Sequence, residues 1–112
     1  IISQGFSVPE KHYGVDIVLK EKTPVKAVAD GIVIFSEQSI GAGHTVLVFH
    51  KNNISSIYKH NYSPSVEKGD FVKSGQIIAL SGNTGENTTD PQLHLEIWDD
   101  KGPINTEDLI TF

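Results

Sequence analysis

Short runs rich in Val, Ile, Phe and Thr alternate with clusters of Gly, Pro, Asn and Asp along the whole chain. The runs at 13–19, 25–29, 31–36, 44–50, 53–59, 71–73, 76–81 and 92–98 have the β-branched and aromatic content that predicts strands. Turn signals separate them: Ala29-Asp30-Gly31, Gly41-Ala42-Gly43, Lys51-Asn52-Asn53, Lys68-Gly69-Asp70 and Ser81-Gly82-Asn83. The runs 44–50 and 53–59, closed by Asn52 and its neighbours, read as a hairpin. No window sustains helical periodicity, apart from a C-terminal turn opened by Asn105 and Thr106 with Glu107 and Asp108 behind. Short strands at close spacing, without crossover helices, predict an antiparallel all-β sandwich or barrel.

Alternation along two of these runs gathers polar groups on one face each. Residues two apart share a face in a strand. In 92–98, Leu93, Leu95 and Ile97 take one face, and Gln92, His94 and Glu96 the other. In 12–19, Tyr13, Val15, Ile17 and Leu19 oppose His12, Gly14 and Asp16. Glycine at position 14 leaves room for a third group to approach. His and Asp suit Zn²⁺, and a catalytic zinc site uses three protein ligands with one position left for water. His12, Asp16 and His94 could supply that set. His60, at the end of its run, is a free candidate for proton transfer. A half-exposed strand also carries polar residues on its solvent face as a rule. Spacing alone therefore leaves a hydrogen-bonded surface pair as the commoner outcome. His44 and His50 flank one strand beside turns and read as structural. Glu96 reads as a hydrogen-bonding group behind the ligands or a solvated carboxylate, and Trp98 as a half-buried edge aromatic.

Composition narrows the field further. The chain has 112 residues, enough for one domain over 1–112 with its own core. It has no cysteine, which excludes disulfide staples and thiolate chemistry. A net charge of −5 disfavours nucleic acid as a partner. No apolar run approaches the roughly 20 residues of a transmembrane segment. The chain starts at Ile1 and contains no methionine, so it is expected to be a fragment of a longer protein, its targeting segment elsewhere. Five histidines are the one compositional figure that points to chemistry.

The order of HYGVD (12–16), TPVKAVADGIVIF (23–35), YKH (58–60), VEKGDFVKSGQIIALSGNTG (66–85) and PQLHLEI (91–97) resembles the lysostaphin-type, or LytM-type, zinc endopeptidases of bacterial cell walls. The likeness runs from about Gly5 to the C-terminus. It implies an all-β fold: a two-layer antiparallel β-sandwich or half-barrel with a groove, related to the hybrid motif of biotin and lipoyl carriers. It also implies hydrolysis of peptide bonds in peptidoglycan stems or cross-bridges, in the periplasm or outside the cell. The family's zinc ligands correspond to His12, Asp16 and His94. His60 matches the histidine that positions or deprotonates the attacking water and stabilises the oxyanion. Gly82 and Gly85 fall where the family has a groove-lining loop.

One position departs from the pattern. The family's P-H-L-H-F-E reads here Pro91-Gln92-Leu93-His94-Leu95-Glu96, so Gln92 replaces a catalytic histidine. A glutamine amide can donate a hydrogen bond to an oxyanion but cannot shuttle a proton. Family members that have lost catalytic residues regulate or scaffold other envelope proteins, which leaves a zinc-binding but inactive domain as the alternative reading. A third reading comes from ADGIV (29–33) and VEKGDFVKSGQII (66–78), which also look like carrier domains or the sugar-phosphotransferase IIA domain. Carriers need a lysine at an exposed hairpin tip, for which there is no signal. The IIA domain lacks the His-x-x-x-Asp pairing.

Overall fold

The computed structural model describes residues 2–5, 7, 14–39, 41–82 and 92–105. Ten strands follow in chain order: β1 (Ile2–Gln4), β2 (Val15–Val18), β3 (Pro24–Lys26), β4 (Gly31–Ser39), β5 (Gly43–Phe49), β6 (Ser55–Pro64), β7 (Phe71–Val72), β8 (Ile77–Ser81), β9 (Gln92–Asp99) and β10 (Gly102–Ile104). All pairings are antiparallel, in the order β1-β2-β9-β6-β5-β4-β7, with β10 on the free part of β9. β8 pairs with both β6 and β3 and begins a second layer. Among the described residues no helix is long and apolar enough to cross a membrane.

One long strand makes the two layers possible. The first half of β6, Ser55 to Lys59, pairs with β9, and its second half, Asn61 to Pro64, pairs with β8. Between them His60 sits at φ 65°, and the pairing with β5 skips a residue between His44 and Val46. An extra residue of this kind bends a strand and sharpens its twist, which lets one strand serve two layers. The core lies between the layers. Val15, Val33, Val46, Val48, Tyr58 and Leu95 face Val25, Ala27, Ile78 and Ala79, each at most 3% exposed. Full burial of a valine or isoleucine stabilises by about 1.5–3 kcal/mol, so this seam carries much of the fold.

The all-β architecture agrees with the strand pattern, while several boundaries move. The run 53–59 continues to Pro64, because the bulge at His60 redirects the strand instead of ending it. The run 25–29 shortens to Pro24–Lys26, where the register with β8 shifts and Ala27 N–H donates to the Gln76 carbonyl. The run 13–19 is described as Val15–Val18, before a turn with Lys22 at φ 64°. The hairpin of β5 and β6 forms as expected, around a short 3₁₀ turn, Lys51–Asn53, with Asn52 and Asn53 both in the left-handed region. Strands β1 and β10 have three residues each, too few to show alternation. β10 contains Pro103, which is tolerated because β10 pairs with β9 alone. The expected turn after Asn105 lies outside the described residues.

Candidate metal centre on the open sheet face

Register sets this site. Asp16 on β2 is the cross-strand partner of His94 on β9, and His94 is in turn the partner of Lys59 on β6. Directly paired residues share a face, so Asp16, His94 and Lys59 form one row, on the side away from Val15, Leu95 and Tyr58. Glu96 follows His94 on the same face, and Trp98 follows Glu96.

The side chains close into a network. His94 Nδ1 lies 2.6 Å from Asp16 Oδ1, and His94 Nε2 lies 2.7 Å from Glu96 Oε2. Lys59 Nζ donates to Glu96 Oε2 at 2.8 Å, and Trp98 Nε1 donates to Glu96 Oε1 at 2.7 Å. Asp16, His94 and Glu96 are all buried. Gly14 makes room for this: a β-carbon there would stand 2.7 Å from Glu96 Cγ and would collide with the Leu95 carbonyl. The room that alternation assigned to Gly14 is taken by β9 and its glutamate.

Burial opposes the charged forms of His94 and Glu96, and their partners outweigh it. Desolvation alone would push the His94 imidazolium down, but hydrogen bonds and charge from Asp16 and Glu96 hold it above 6.5. Desolvation alone would push the Glu96 carboxyl up. Hydrogen bonds from His94, Lys59 and Trp98, with the lysine charge, bring it down to about 2.

The donor set can be tested against a metal. A neutral imidazole has one N–H, yet both ring nitrogens of His94 face carboxylate oxygens. The ring is satisfied on both sides only as imidazolium, or with a cation in place of the proton between Nδ1 and Asp16. With Nε2–H donated to Glu96, the Nδ1 lone pair and the Asp16 carboxylate converge as nitrogen and oxygen ligands. Zinc takes that combination, with the outer carboxylate fixing the tautomer. The residues fit the group. Among the described residues no set of three His, Cys, Asp or Glu groups could hold a metal ion. The third ligand expected from the sequence, His12, lies outside the described residues.

The His60 ring is 6.1 Å from that of His94, edge to face at 70°. Strict alternation along β6 would turn His60 to the core side with Tyr58. The left-handed backbone at His60 re-aims the side chain, and its N–H donates to the Ala42 carbonyl at 2.9 Å. A non-glycine residue held there costs of order 1–3 kcal/mol, and such strain gathers at functional positions. Gln92 is described through its backbone, opposite Val18. Gly82 is buried where a β-carbon would stand 2.5 Å from Tyr62 N, so glycine is required for that packing. Gly85 lies outside the described residues.

The histidines read as structural divide as expected where the partners are given. His50 bonds to the Asp30 carbonyl and to Ser56, both at 2.7 Å, well within the scaffold. The sequence reading missed Lys59. Its only signal was its place beside Tyr58 in a strand, which says which face it takes but not that the carboxylate of Glu96 is on that face. Trp98 is half-buried as expected, and its indole N–H has a specific partner in Glu96.

A family model described as "Peptidase family M23" matches residues 10–106. A relative from Vibrio cholerae, named peptidoglycan DD-endopeptidase ShyA, is 38% identical over 94 residues, covering 84% of this chain and 22% of the relative. The chain spans about a quarter or less of the length of the curated relatives it matches. The catalytic domain of the antimicrobial peptidase lysostaphin from Staphylococcus simulans superposes with a TM-score of 0.88 at 28% identity, covering 96% of this chain and 90% of that one. A zinc-containing peptidase from Vibrio cholerae superposes at 0.86 with 32% identity, covering 94% of this chain and 35% of that one.

Proposed function

The chain belongs to peptidase family M23, and on that premise we propose that it is a zinc-dependent endopeptidase hydrolysing peptide bonds in the stems or cross-bridges of peptidoglycan. The observation that carries the reading is the ring of His94 between two carboxylates, one of them its cross-strand partner Asp16. The Vibrio relative named for peptidoglycan and the zinc-containing neighbour support the substrate class and the metal. The place of work is the bacterial envelope, in the periplasm or outside the cell.

His12, Asp16 and His94 would hold the zinc. Bound there, zinc supplies a Lewis acid that polarises a peptide carbonyl and acidifies water to a pKa of about 7. Glu96 accepts from His94 Nε2 and keeps Nδ1 free for ligation. His60, whose ring lies 6.1 Å from that of His94, would orient the attacking water and take its proton. By strand alternation Gln92 falls on the face of His94, and its amide would supply an N–H to the developing oxyanion. It cannot pass a proton to the leaving amine. Gly82 and Gly85 would line the groove for the peptide.

Gln92 favours a second reading: a zinc-holding domain without turnover, which binds peptidoglycan or regulates another envelope protein. One experiment decides. Purified peptidoglycan is digested with the protein and with Gln92→His, at zinc loading matched by metal analysis, and released peptides are measured. Cleavage is expected from both, with a gain of about 10²-fold or more in the variant, the size of a restored acid–base group. Zinc loading without release from either protein would overturn the enzyme and leave the binding domain.

A further inference from the structure

The Glu96 carboxylate is gripped at both oxygens. Oε2 lies 2.7 Å from His94 Nε2 and 2.8 Å from Lys59 Nζ, while Oε1 accepts from Trp98 Nε1 at 2.7 Å. Lys59 reaches it from a neighbouring strand, with its side chain 28% exposed against 8% for that of Glu96. The lysine therefore stands between the buried carboxylate and solvent. A glutamate side chain has three torsions, and one contact to His94 would leave the carboxylate free to swing out. Donors on both oxygens leave one orientation, the one in which Glu96 accepts from Nε2 and the Nδ1 lone pair faces Asp16.

We propose that Lys59 is a positioning residue for the metal centre: together with Trp98 it pins Glu96, and through Glu96 it fixes the ring orientation and tautomer of His94. The proposal rests on the zinc reading for its metal and on the hydrogen-bond geometry around Glu96 alone for the clamp. The opposite tautomer would aim an N–H at Asp16, where the ligand lone pair is needed. An exposed ion pair by itself contributes little to stability. What distinguishes Lys59 is that it shares Glu96 Oε2 with His94, a candidate ligand.

Lys59→Met keeps the aliphatic stem and removes the donor. It is expected to weaken zinc binding, read by competition with a chromophoric chelator, by about tenfold, as for loss of an outer-shell partner. Lys59→Arg, which retains a donor for the carboxylate, should restore affinity to within a few-fold. In a Glu96→Gln background, Lys59→Met should cost nothing further, because the two act as one unit. A readout without metal comes from ¹⁵N shifts of the His94 ring in chelator-treated protein, at a pH where the ring is neutral. The Nε2–H tautomer should dominate in the parent and give way to a mixture in Lys59→Met. Should Lys59→Met fail to fold, Trp98→Phe reads the same clamp from the other oxygen.

Unchanged zinc affinity together with an unchanged tautomer in Lys59→Met would overturn the proposal. So would a loss that persists undiminished in the Glu96→Gln background. If the parent protein binds no zinc, the proposed function fails, and the tautomer measurement alone then decides on Lys59.

Discussion

His50 and His94 are almost equally buried, 7% and 8% exposed, yet their partners fit them for different work. His50 reaches towards the core side of the sheet and meets only neutral groups. The Asp30 carbonyl can only accept, so Nδ1 donates to it, and Nε2 lies 2.7 Å from Ser56 Oγ. Ser56 Oγ donates to the Tyr58 hydroxyl at 2.8 Å, and that hydroxyl also accepts the Val28 N–H at 3.1 Å. His94 stands on the open face between two carboxylates, an arrangement no neutral ring satisfies. Equal burial thus goes with neutral partners in one place and with two carboxylates in the other. The charge of the partners makes the difference.

Replacing each histidine by alanine tests the comparison most severely. His94→Ala should abolish stoichiometric zinc, because the remaining ligands make a poor site. His50→Ala should leave zinc in place and lower the thermal midpoint. Metal analysis beside a melting curve checks both, and zinc lost from the His50 variant alone would reverse the assignment.

Acidification is the next largest lever. Ligand histidines must be neutral, and a free imidazole titrates near 6.5, so occupancy should fall increasingly below about pH 6.5. A competition titration across pH reads this directly. A site that stays full well below the histidine range would mean carboxylates dominate the ligation.

Tyr58→Phe removes the hydroxyl that accepts from Ser56 and from the Val28 N–H, so Val28 loses its partner while Ser56 keeps only His50. It is expected to cost about 1–3 kcal/mol in denaturant unfolding, with zinc affinity unchanged. A matching fall in zinc affinity would show that the two histidine systems are coupled through β6.

The smallest effect belongs to the metal-free protein. His94 holds its proton more tightly folded than unfolded, since its pKa is raised above 6.5. Its contribution to stability is therefore complete below pH 6.5 and disappears as pH rises through the folded value. Glu96 runs the other way: its contribution is present above 4.5 and is lost as pH falls towards 2. Melting in chelator should thus show stability declining on the alkaline side, with the decline abolished in His94→Gln. An identical decline in that variant would place its origin elsewhere.

Much of this site was legible because a strand alternates whatever it packs against. That rule alone puts Asp16 on the polar side of its strand, and His94 with Glu96 on the polar side of theirs. The run of β-branched segments with glycine-rich turns likewise points to an all-β fold, since no window sustains helical periodicity apart from the turn expected after Asn105. His60 was harder to place. Its face depends on a bulge and a left-handed backbone that alternation does not anticipate, and both depend on β6 pairing with β9 at one end and β8 at the other. Lys59 and Glu96 stand 37 positions apart in the chain, and Asp16 and His94 stand 78 apart. Only the tertiary structure decided that these groups meet, because register across distant strands comes from ladder hydrogen bonds and core packing acting over the whole sheet.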